Sequence, residues 1–113
     1  MPPELSPQVL NELYKIYERS DMAGREKILI AEIEKRGLSQ HQRLIQETFA
    51  IVLGAPYVFL DKYPGGAVSS EKLWTEHETE IRRASPWLDE ENFQRACAQS
   101  QYYAWHDGLV KSN

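Results

Sequence analysis

One cysteine, Cys97, occurs in 113 residues, which excludes an intrachain disulfide and any zinc site built mainly on thiolates. A reducing compartment suits such a chain. Cations are not in excess either: 13 Lys and Arg stand against 17 Asp and Glu, a formal net charge of −4. That balance argues against a broad phosphate-binding surface, which is made from clustered Lys and Arg. Long hydrophobic runs are also missing. The most apolar stretch, FAIVLGAPYVFL at residues 49–60, is too short to span a bilayer and is interrupted by Gly54 and Pro56. The opening MPPELSPQVL lacks the basic and apolar segments of a signal peptide. The expectation is a cytoplasmic protein without a membrane association. No Gly-rich phosphate loop follows a strand, and no Gly-x-Ser-x-Gly or paired His-Glu zinc motif occurs. No cofactor or metal is therefore expected, and catalysis is not the first reading.

What is present is the balance of a folded domain: 42% apolar and 27% charged residues, in a length that buries one core. Helical periodicity dominates and predicts a single all-α domain over residues 1–113, a bundle of about five helices. Ser6-Pro7 starts the first, with Val9, Leu10, Leu13, Ile16 and Tyr17 on one face. The second runs to about Arg36, with Leu29, Ile30 and Ile33 inward and Gly37 as its stop. Ser39 with Gln42 reads as a capping box opening a third helix, which Gly54 closes. Residues 54–69, GAPYVFLDKYPGGAVS, read as a Pro/Gly-rich loop laid over the helices, with a tight turn at Tyr63-Pro64-Gly65-Gly66. Ser69-Ser70 caps the fourth helix, which places Leu73, Trp74, His77, Ile81 and Ala84 on one face. The fifth starts near Ser85-Pro86 or at Asp89, and stops at Gly108.

The fifth helix ends in QSQYYAWHDG, residues 99–108, where aromatics crowd beside a histidine and an aspartate. A helical wheel divides this helix between two faces. Phe93, Ala96, Cys97, Ser100 and Ala104 form one stripe; Ala98, Tyr102 and Trp105 form a second, nearly opposite. Such a helix is either covered on both sides by its own bundle, or it offers one face to a partner. His106 and Asp107 diverge on the wheel and make no dyad, whereas Tyr102 with His106 and Tyr103 with Asp107 are i, i+4 pairs. Tyrosine and tryptophan bury large area while keeping a polar handle. Tyr102, Tyr103, Trp105 and His106, with Tyr57, Phe59 and Tyr63 of the loop, are thus the candidate partner-binding residues. The partner is another protein, including a second copy of this chain as a homodimer.

Two alternatives are open. REKILIAEIEKRGLSQHQRL, residues 25–44, joins two helices through Gly37 and carries Arg25, Lys35, Arg36 and Arg43. It resembles the opening of a winged-helix domain, in which an Ile-Leu-bearing helix leads through a Gly-Leu-Ser turn into a second helix. The resemblance implies a DNA-binding regulator using a helix-turn-helix-like pair at residues 25–53. It covers twenty residues, and an apolar helix follows where a polar recognition helix belongs. The other alternative is a small enzyme with an aromatic pocket near His77, the residue at the middle of the fourth helix's apolar face. The bland account of His77 is a buried histidine with a satisfied hydrogen bond. His41 reads as a cap or surface residue, Cys97 as core, and Glu76, Glu78 and Glu80 as solvated surface.

Overall fold

In the computed structural model, which describes residues 1–111, five helices account for the architecture. Ser6 accepts from the Val9 amide and Pro7 occupies the first turn, so α1 runs Pro7–Arg19. The second helix, α2, spans Arg25–Lys35. It stops at Gly37, whose φ of 71° lets the Leu38 amide return to the Ile33 carbonyl and the Gly37 amide to Glu34. A single 3-10 turn, Ser39–His41, leads into α3, Gln42–Leu60. Ser39 caps nothing here, so the expected capping box is not made.

The larger correction concerns residues 54–60. Gly54 does not close α3, and no loop or strand begins there: the helix continues through Gly54, Ala55 and Pro56 to Leu60. Proline inside a helix removes one backbone bond and costs about 3 kcal/mol. Pro56, Phe59 and Leu60 are all buried by that continuation, and each large apolar side chain contributes about 1.5–3 kcal/mol on burial. Burial therefore outweighs propensity. The Pro/Gly loop shrinks to residues 61–66. Its turn is as expected, with Gly65 at a φ of 81° and the Gly66 amide donating to the Tyr63 carbonyl at 3.0 Å.

Two further features are absent from the helical reading. Ala67–Val68, β1, pairs in parallel with Val110–Lys111, β2, so the C-terminal end of the described chain is tied beside the loop. Ser85-Pro86 starts no helix: Ser85 ends α4, Glu71–Ala84, and Leu88 turns back onto the Ser85 carbonyl. Asp89 caps α5, Glu90–His106, by accepting from the Asn92 amide at 2.8 Å.

The buried apolar residues fall into two clusters. One gathers Leu10, Leu13, Tyr14, Ile33, Ile45, Phe49 and Phe93 with their neighbours; the other gathers Phe59, Leu60, Ala67, Leu73, Ala104 and Val110. α3 runs through both, and the molecule is drawn out to 48 × 27 × 22 Å.

Polar ties join α1 to α5. Asn11 donates to the Trp87 carbonyl at 2.7 Å and accepts from Asp89 N–H and from Asn92 Nδ2, each at 2.9 Å. Buried Glu18 accepts from Arg95 at 2.6 and 3.0 Å and from Gln99 at 2.8 Å.

Candidate functional site

The two stripes of α5 have opposite fates. Phe93, Ala96, Cys97, Ser100 and Ala104 are buried against the core, as the wheel requires. The second stripe is not covered by this chain: Tyr102 is 61% exposed and Trp105 43%. The alternative in which α5 lies central in its bundle is thereby excluded.

Around these rings the end of α5 is organised. Tyr102 stacks on His106, with ring centroids 5.7 Å apart at 28°, and meets Tyr103 edge-on at 5.5 Å. Asp107 lies beyond the last turn as the C-cap, so the helical wheel does not place its side chain. Its carboxylate reaches His106 Nδ1 at 3.0 Å, correcting the expected divergence of the two. It also accepts a hydrogen bond from the Tyr57 hydroxyl, and Tyr57, rather than Tyr103, is its aromatic partner. That bond raises the Tyr57 pKa, and the same bond, followed by that from His106, lowers the Asp107 pKa. Tyr57, Tyr102, Tyr103, His106 and Asp107 thus form one connected group at the exposed junction of α3 and α5.

Two residues expected beside them lie elsewhere. Phe59 points inward and is 5% exposed, stacked on His77 at 4.8 Å; it is a core residue and contributes no partner surface. Tyr63 is half-buried against Phe59 and packs on the smaller core cluster. Continuing α3 as a helix separates Tyr57 from Phe59 by about 200° at 100° per residue, whereas a loop imposes no such division.

His77 is 1% exposed and joined through Nε2 to the hydroxyl of Ser100, so it links α4 to α5. Burial pushes its pKa down to about 4, which leaves the ring neutral at pH 7. A histidine beside a serine hydroxyl has the elements of a base and nucleophile. Here, however, Ser100 is itself buried, and among the described residues Nδ1 has no hydrogen-bond partner that would orient the ring. Phe59 and Trp74 flank the ring, and the adjoining cavity of about 150 Å³ is lined by Trp74, Cys97 and Gln94 among others. Burial also raises the Cys97 thiol to about 12, so it is not a ready nucleophile. No group of three or more metal-ligating side chains occurs among the described residues.

The arginines of residues 25–44 carry partners of their own. Arg36 is bonded to Glu12 at 2.7 Å and Glu32 at 3.1 Å, and Arg43 to Glu47 at 2.9 Å. Arg25 lies over the Tyr17 ring at 4.7 Å, and Lys35 is exposed.

Beyond Tyr57, sequence reasoning missed the outward face of α3, where Ile51 and Val58 are exposed beside Ala50 and Gly54. The signal was the run FAIVLGAPYVFL itself, which is apolar at every helical azimuth and so has more apolar surface than one core face uses. Comparison with known proteins finds no match: no family model, no curated protein and no solved structure is similar to this chain.

Proposed function

We propose that the chain is a non-catalytic protein-binding module, a regulator, adaptor, chaperone or immunity-type protein, that engages another protein through Tyr102, Trp105, His106 and Tyr57. The observation that carries this reading is the exposure of Tyr102 and Trp105 on the face of α5 turned away from its core. Exposed aromatic rings beside polar tips are the side chains on which binding energy concentrates. Stacking on His106 and the bond from Tyr57 to Asp107 restrain these groups before a partner arrives, which reduces the ordering entropy that association costs. A reducing, cytoplasmic setting fits the free, buried Cys97.

The test is the double variant Tyr102→Ala, Trp105→Ala, used beside the unaltered chain to capture a partner, which is then purified and titrated by calorimetry. The expected result is a Kd raised about 30-fold, or about 2 kcal/mol, with an unchanged circular dichroism spectrum. Equal affinity in a folded double variant removes the surface from consideration.

A further inference from the structure

α3 is the most apolar helix of the fold, yet only 39% of an 18-residue apolar window within Ser39–Leu60 is buried. Its inward face is Ile45, Phe49, Val52 and Phe59. Opposite that face, at 100° per residue, lie Arg43, Glu47, Ala50, Gly54 and Tyr57, and the C-cap Asp61, whose φ of −59° and ψ of −27° keep the helical turn, continues the line, spaced alternately by four and three. This is the spacing of a helix-pairing seam. Gly54 is half-buried, the other five are exposed, and Val58 beside them is 79% exposed.

We propose that this face pairs with a second copy of the chain, the two α3 helices lying antiparallel across a two-fold axis near residue 52. The exposed line is complementary to its own reverse. Antiparallel pairing there sets Ala50 against the second copy's Gly54, and Arg43 against the second copy's Asp61, and the two-fold makes each match twice. Arg43 and Asp61 stand at opposite ends of the helix with opposite charge, and among the described residues the guanidinium, 92% exposed, holds only Glu47. Antiparallel helices also bring opposite dipole ends together.

Gly54 points the same way. Glycine inside a helix is unfavourable relative to alanine, and a Cβ at Gly54 would meet nothing within 4 Å of its own chain. Among the described residues nothing occupies the space of its missing side chain; close approach of a second helix would use it. The shape agrees, since a radius of gyration of 15.0 Å exceeds the about 13 Å of a compact chain this long.

Ser39–Leu60 is, by length and composition, also apolar enough to cross a membrane. Its inner face is committed to the core, and Arg43, Glu47 and Asp61 bracket the apolar centre of its outer face. Those charges match a second copy better than hydrocarbon.

The pairing uses neither Tyr102 nor Trp105, and Tyr57 is common to both surfaces. Its test is the mass of the full chain by light scattering across dilution, with flotation on phosphatidylcholine and phosphatidylglycerol vesicles as a second arm. The expected mass is twice the 13.1 kDa of one chain. Gly54→Glu should give a folded monomer, Arg43→Asp should weaken dimerisation about tenfold, and Arg43→Asp with Asp61→Arg should restore it. Because the charge exchange stands apart from Gly54, the test survives a Gly54 variant that does not fold. A monomer at every concentration, a dimer indifferent to these substitutions, or vesicle binding abolished by Gly54→Glu would overturn the pairing. Tyr102→Ala with Trp105→Ala should leave the mass unchanged, so either reading can fail while the other stands.

Discussion

The two ends of α3 are held by different means. At its N-terminal half, Phe49 lies among Tyr14, Tyr17 and Trp87, with ring centroids 5.4 to 5.7 Å away, and the neighbouring α1–α5 junction is tied by Asn11 and Asn92. At its C-terminal half, Phe59 and Leu60 meet a smaller set, Ala67, Leu73, Ala104 and Val110, beside the ring of a neutral histidine. The first end draws its stability from interlocking large rings, whose packing does not depend on pH. The second combines few apolar groups, one titratable ring and a two-residue strand pair. The two ends thus differ in what packs them, large rings at one and a titratable ring with small apolar groups at the other.

Removing the central ring breaks the stronger end. Phe49→Ala should destabilise the domain by about 3–5 kcal/mol, read from the midpoint of urea unfolding, because it deletes a fully buried side chain that several rings enclose. A loss below about 1 kcal/mol would mean that the aromatic cluster closes over the cavity, and the contrast between the ends would fail.

Acid sharpens the contrast at the weaker end. Burial lowers His77 from 6.5 to about 4, so between those values the unfolded chain takes up a proton that the folded chain refuses. Stability from this residue is complete above pH 6.5, falls as the pH drops toward 4, and is then constant; the loss is roughly 3 kcal/mol. His77→Phe retains a ring against Phe59 and abolishes this slope. Urea midpoints measured from pH 7 to pH 4 should therefore fall less steeply in the variant. Superimposable profiles would show that His77 does not titrate as its burial requires.

The difference between the ends also explains what was legible in the sequence. The positions of Leu10, Leu13, Leu29, Ile33, Ile45 and Phe49 follow from a period of 3.6, and all are buried where that period puts them. Likewise, the stripe Phe93 to Ala104 was readable in full. The C-terminal end of α3 was not, because Gly54 and Pro56 are local signals to stop, and what overrides them is burial against Leu73 and Val110, residues distant in sequence. The β1–β2 pair is two residues long on each side and leaves no period to detect. For the candidate site, the wheel identified Tyr102 and Trp105 but could not decide their exposure, which depends on how many helices surround α5. It failed for Asp107 because the helix ends one residue earlier.

The strand pair itself should contribute less than either ring. Val110 is buried in the smaller cluster and pairs with Ala67, so Val110→Ala should cost about 1 kcal/mol or slightly more. Hydrogen exchange at the Ala67 amide, which donates to Leu109, should speed up more than exchange in α1. Equal acceleration in both would make the two ends one cooperative unit.

The smallest effect lies at the surface, where the Tyr57 hydroxyl joins α3 to the cap of α5. Tyr57→Phe removes the bond that contributes most to lowering the Asp107 pKa, so this carboxyl should titrate closer to the ordinary aspartate range, as followed by its side-chain carbon resonance. The sign follows from the donor: a hydroxyl that donates to the carboxylate favours its charged form, and that preference disappears with the hydroxyl. In the unaltered chain the same bond supports folding above the unfolded pKa of Asp107 and is lost as the pH falls through the lowered one. Because the pair is exposed, the unfolding midpoint at pH 7 should hardly move while the titration does. A resonance that titrates identically in both chains would mean that Tyr57 and Asp107 do not meet in solution, and that the aromatic surface ends at α5.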